Sequence, residues 1–147
     1  MNDKTRSRKW LLTINNPKEY GYDHDHIKNT LEQWKGLIYW CMCDEVGGKN
    51  SVYHTHLFIM GANGILFSTV KKKFPKAHID YCRGLAQENR DYIRKEGRYK
   101  GSIKEETNMR ETFEEMCECP AERPGQRSDL IDLYDMIKDG MDNYDIL

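Results

Sequence analysis

With 147 residues the chain suits one domain able to bury a core without disulfides. No stretch approaches the roughly 18 apolar residues of a membrane span, and the opening residues, MNDKTRSRKW, lack a signal peptide's apolar centre. The expectation is an intracellular protein with no membrane partner. The net charge of −1 hides two halves: residues 1–100 carry 18 Lys and Arg against 11 Asp and Glu (+7), and residues 101–147 carry 5 against 13 (−8). A basic body suits a polyanion, although a solvated surface is the ordinary alternative. Five cysteines, an odd number, fit a reducing compartment. Cys41/Cys43 and Cys117/Cys119 have C-x-C spacing, not the C-x2-C of zinc ribbons, and read as packing cysteines.

Residues 9–15, KWLLTIN, are β-prone and broken by NNP, which predicts a strand and a turn. In DHDHIKNTLEQWKG (23–36), Ile27, Leu31 and Trp34 recur at helical spacing, with Asp25 as cap and Gly36 as stop. LIYWCMCDEV (37–46) is a nearly continuous apolar strand, central in a sheet. GGKNS signals a hairpin, and VYHTHLFIM (52–60) is the returning partner. ANG (62–64) turns the chain into ILFSTVKKKF (65–74), a short helix with Ser68 as N-cap and Pro75 as stop. AHIDYCRG (77–84) is a fourth strand, and LAQENRDYIRKEG (85–97) a helix with Gly97 beyond its end.

This order, β-α-β-β-α-β-α, predicts an α+β fold: a ferredoxin-like (split βαβ, RRM-like) antiparallel sheet with helices packed on one face, plus a C-terminal helical extension. Residues 1–101 form the expected body and 102–127 an acidic linker, partly helical. Residues 128–147 form an amphipathic helix, capped by Ser128, whose stripe of Leu130, Leu133, Ile137 and Met141 calls for a partner. That partner is the body, a second protomer or a further domain. The uncapped ending DNYDIL suggests a longer parent chain.

His54 and His56 alternate along a strand and share one face, where two imidazoles can hold one metal or simply form a polar patch. The similar DHDH pair, His24 and His26, lies before a helix with no strand to fix the rings, so no site is expected there. Hairpin pairing can bring Asp44 or Glu45 beside His54. That gives a three-ligand set for Mg²⁺ or Mn²⁺, with imidazole favouring Mn²⁺. Tyr92 and Lys95, i and i+3 on a helix, project together. A tyrosine near a divalent cation is a candidate nucleophile for a phosphodiester, although an isolated Y-x-x-K has no weight.

In order, WLLTINNP, DEVGGKNSVYHTHLF and ENRDYIRKEG resemble the three motifs of HUH-type rolling-circle replication initiators (Rep), in particular the endonuclease domains of circoviruses and other circular single-stranded DNA viruses, with kin on plasmids. The resemblance covers roughly residues 8–100, and GQRSDL resembles the entry to that family's oligomerisation region. It implies an enzyme that nicks single-stranded or stem-loop origin DNA through a 5′-phosphotyrosine and rejoins the ends. By the same resemblance Tyr92 is the nucleophile and Lys95 its assistant; His54, His56 and Glu45 (Asp44 in reserve) hold the cation; Thr13, Asn15 and Asn16 lie near DNA. Lys9, Arg83, Arg94 and the KKKFPK lysines would hold phosphates, with Trp10 or Tyr81 stacking bases.

Thr55 departs from the pattern, since the residue between the histidines is usually bulky and apolar. One tyrosine in the motif helix, with Tyr99 seven residues on, fits a single-nucleophile mechanism. The resemblance also implies a homo-oligomer through the C-terminal extension, a helicase in a longer parent, and location in a host nucleus or, for a bacterial element, the cytoplasm. This chain has no Walker-type phosphate loop. Three rival readings are a non-catalytic DNA- or RNA-binding module, a phosphoesterase with paired H-x-T/S motifs, and an oligomerisation fragment. HTH supplies only one unit for the second of these, and the third describes only the C-terminal residues.

Overall fold

The apolar run LIYWCMCDEV becomes the strand β2 (Leu37–Gly47), in which residues 39–45 are all buried. A strand apolar on both sides has to be covered on both sides, and this dictates the architecture. The computed structural model describes residues 2–47, 52–96 and 108–122. Its other elements are β1 (Arg6–Asn15), α1 (His24–Glu32), β3 (Val52–Leu66), α2 (Phe67–Lys73), β4 (His78–Tyr81), α3 (Ala86–Arg94) and β5 (Asn108–Glu115). The five strands form one antiparallel sheet in the order β4-β1-β3-β2-β5.

Alternation sorts the core into two layers. Trp10, Leu12 and Ile14 of β1, Met42 of β2 and Leu57 and Ile59 of β3 meet Ile27 and Leu31 of α1, Val70 of α2 and Phe74 just after it. On the other face Tyr39, Cys41, Cys43, Phe58 and Met60 meet Ala86 and Ile93 of α3. The α+β, ferredoxin-like sheet is as expected, but the helices lie on both faces, not one. Cys41 and Cys43 pack in the α3 layer, buried and unpaired.

Local chemistry accounts for the shifted boundaries. Asp23, not Asp25, caps α1 by accepting from the His26 N–H at 2.8 Å. ANG does not end β3, because Ser7 and Arg6 pair with Ile65 and Leu66 beyond a register irregularity. The helix α2 starts after Leu66, and Ser68 makes no side-chain cap.

Asn108–Glu115 is a sheet strand where linker and helix were expected. Two of its acidic side chains are paired: Glu115 binds Arg90, and Glu114 binds His24 and Lys28. A strand held by ion pairs leaves no hydrophobic alternation to read. The expected helix over 128–147 and most of the GGKNS turn lie outside the described residues.

Candidate metal centre and nucleophile helix

β1, β3 and β2 are neighbours, and their register places the site. His54 stands opposite Glu45 of β2 and Asn15 of β1, and His56 opposite Cys43 and Thr13. Directly paired residues point to the same face, so Glu45, His54 and His56 converge on the side covered by α3. His56 Nε2 lies 2.9 Å from Glu45 Oε2 and 3.2 Å from His54 Nε2, and His54 Nε2 lies 4.0 Å from the same carboxylate oxygen. These are the only three His, Cys, Asp or Glu residues that could hold a metal together among the described residues.

The outer ring atoms settle which nitrogens face inward. His54 Nδ1 lies 3.1 Å from the Val52 carbonyl, to which it can only donate, and this contact turns Nε2 to the centre. His56 Nδ1 lies 3.3 Å from Thr13 Oγ1, so its Nε2 also turns to the centre. Glu45 Oε2 is buried and, despite its close neighbours, makes no hydrogen bond of good geometry. Two imidazole lone pairs and a carboxylate oxygen aimed at one point are the donor set of a divalent-cation site.

Electrostatics keep the donors in ligating form. Burial pushes the His56 imidazolium down from its ordinary pKa, outweighing the opposite pull of Glu45, so the ring stays neutral. Burial alone would raise the Glu45 carboxyl, but His56 and Lys95 hold it below its ordinary value. Asp44 is excluded as the alternative ligand. It points to the opposite face, where Thr55, Tyr53 and His24 all bond its carboxylate.

The helix α3 lies over the site. Tyr92 packs edge-on against His56, with ring centres 5.6 Å apart. Lys95 is not on the helix face beside Tyr92. It is the C-cap residue, in left-handed conformation (φ 55°), and is fully buried. From there Nζ reaches back to the Tyr92 carbonyl at 2.6 Å, Glu45 Oε2 at 3.1 Å and the Tyr92 ring centre at 3.7 Å. One ammonium thus ties the helix end to the acidic ligand, a link that sequence spacing did not contain.

Residues 7–96 match the family model described as "Putative viral replication protein". The chain belongs to this family. A comparison with curated proteins returned no match. The match with this replication-protein family spans β1 to α3 and includes Glu45, His54, His56, Tyr92 and Lys95, while β5 lies beyond it.

The expected DNA-proximal residues in the family domain divide. Asn15 and Asn16 are exposed at the end of β1, Asn15 directly opposite His54. Arg83 and Tyr81 are exposed and stack on one another, 5.6 Å from guanidinium to ring centre. Tyr81 pairs with Trp10 and meets its indole edge-on at 6.1 Å, so its ring stands on the α1/α2 face. A groove of about 260 Å³, lined by Leu11, Arg83, Asn89 and Tyr92 among others, opens on the α3 face.

Two of the expected contacts, Trp10 and Lys9, are corrected. Trp10 is fully buried, its indole N–H donating to the Ser7 and Ile65 carbonyls, and cannot stack a base. Lys9 is buried against the Gly84 carbonyl and Glu122, where a phosphate does not reach it. Arg94 pairs with Glu96 and lies over Phe113. Lys71, Lys72 and Lys73 belong to α2, which packs on the face opposite Tyr92.

The His24 ring, expected to be unanchored, is held in place. It is fixed between Asp44 (2.9 Å) and Glu114 (2.5 Å), and these contacts raise its pKa, the Asp44 hydrogen bond most. Glu114 belongs to a strand the sequence did not announce, which is why that ring looked unanchored.

Proposed function

We propose that the protein is a replication initiator that nicks single-stranded origin DNA and rejoins its ends, with Tyr92 as nucleophile. The observation that carries this reading is the convergence of Glu45, His54 and His56 beneath the helix that bears Tyr92 and Lys95. Membership of a family described as a viral replication protein supports it. A divalent cation, Mg²⁺ or Mn²⁺, held by these three side chains would polarise the scissile phosphodiester as a Lewis acid.

The chain's own residues account for the rest of the chemistry. Tyr92 Oη forms a bond to phosphorus while the bond to O3′ breaks. The 5′ end stays on the tyrosine, and the phenolic proton passes to the released 3′-hydroxyl. Lys95, held by Glu45 and over the Tyr92 ring, stabilises charge on the tyrosinate. Attack by a returning 3′-hydroxyl reverses the step and rejoins the strand. The groove beside Tyr92, which Arg83 also lines, offers a single strand a cation near the nucleophile. A homo-oligomer, a helicase further along a longer parent chain, and action in a host nucleus belong to the same proposal.

Incubation with labelled single-stranded oligonucleotides and Mn²⁺, read on a denaturing gel, tests it. The reading expects a covalent adduct that EDTA prevents and Tyr92→Phe abolishes. Binding without cleavage by the folded protein would favour a non-catalytic module on the same sheet.

A further inference from the structure

β5 follows the nucleophile helix and lies beyond the family match, yet it completes that helix. The last carbonyls of any helix lack intrahelical donors. In α3 the chain itself serves two of them: the Lys95 N–H bonds the Tyr92 carbonyl and the Glu96 N–H bonds the Asp91 carbonyl at 2.8 Å. The next two carbonyls with side-chain donors are served from β5. Asn108 Nδ2 donates to the Ile93 carbonyl at 3.0 Å, and Arg110 Nη2 donates to the Lys95 carbonyl at 3.1 Å.

Neither donor is placed casually. Asn108 is the direct cross-strand neighbour of Glu45, and its Oδ1 lies 3.7 Å from the Cys43 thiol. Arg110 sits where the β2–β5 register breaks, a bulge bridged by Thr112, which accepts from the Asp44 N–H and donates to the Met109 carbonyl. Bulges re-aim side chains, and this one turns Arg110 to the end of α3. What is held there is Lys95, a non-glycine residue in left-handed conformation, which persists only where its surroundings fix it. That conformation is what brings Nζ to Glu45 and the Tyr92 ring.

We propose that Asn108 and Arg110 are positioning residues for the nucleophile: by capping the end of α3 they hold Tyr92 and Lys95 over the metal-binding triad. The inference rests on the functional reading given above, in which Tyr92 attacks the phosphodiester.

The test compares the wild type with Asn108→Ala, Arg110→Ala and Arg110→Lys, which keeps a donor. The probe is a single-stranded oligonucleotide selected from a randomised pool for cleavage by the wild type with Mn²⁺. Cleavage rate at saturating DNA, DNA affinity and melting temperature are measured for each protein. Both alanine variants should lose roughly 10- to 100-fold in rate, as expected for a displaced reacting group. DNA affinity should change less than roughly twofold, and Arg110→Lys should recover most of the rate. Rates equal to the wild type would overturn the inference, as would losses that only track reduced affinity or a smaller folded fraction. A wild type that forms no Tyr92-dependent adduct would instead defeat the functional reading, and the positioning role with it.

Discussion

Thr55 stands between the two histidines but serves the other face. It is fully buried and donates to Asp44 Oδ1 at 2.7 Å, joining a network with Tyr53, His24 and Glu114 behind the candidate metal-binding triad. Thr55→Val removes one partner from a buried carboxylate and should cost about 1–3 kcal/mol. It should leave Mn²⁺ affinity unchanged, as denaturant unfolding and calorimetric titration would record. Thr13→Val touches the opposite face, freeing the His56 ring, and should weaken Mn²⁺ binding by roughly 10-fold or more with little loss of stability. The alternation of His54 and His56 and the upstream carboxylate were legible because they depend only on strand periodicity. That Glu45 and not Asp44 faces the site was legible only with the register. The support from Thr13 and Lys95 comes from distant chain segments and left no local pattern.

His24 gives the same network a pH signature. Both its ring nitrogens face carboxylates, so the imidazolium form satisfies both, and its pKa is raised above the ordinary 6.5. The stabilisation it brings is complete below about pH 6.5 and is lost as pH rises through the folded value. The melting-temperature gap between wild type and His24→Gln should therefore be wider near pH 6 than near pH 9. Equal gaps would show that the ring is not charged in the folded protein.

At the scale of elements, β1 loses the base-stacking role that the sequence offered to Trp10. Trp10 of β1 is a core residue, and truncation to Ala should cost about 3–5 kcal/mol of stability. Tyr81, on the edge strand β4, is 43 % exposed on the same face as Trp10, so Tyr81→Ala should leave the affinity for single-stranded DNA at the α3 face unchanged. Fluorescence anisotropy and thermal melting on the two variants separate these outcomes. The strands β1 to β4 and all three helices were readable because apolar spacing records burial. β5 was not, because Glu114 and Glu115 join the sheet through His24, Lys28 and Arg90, and a charge pattern does not say what it is paired with.

For the molecule as a whole, the sheet separates two tasks. One face carries α1, α2 and the largest core cluster, and the other carries α3, the triad and the groove beside Tyr92. The sequence placed the helices on a single face because it records that a strand is apolar, not how many layers cover it. The continuous run in β2 was the signal for two.

The central claim is that Tyr92 becomes linked to DNA above the cation held by Glu45, His54 and His56. It is tested most directly by mass spectrometry of the trypsin-digested adduct formed with single-stranded oligonucleotides and Mn²⁺. Cleavage after Arg90 and Arg94 isolates residues 91–94, in which Tyr92 is the one tyrosine. The account predicts a nucleotide mass on that peptide, absent with EDTA and in His56→Ala. A covalent link mapped to any other peptide, or one that forms equally well without metal, would contradict it.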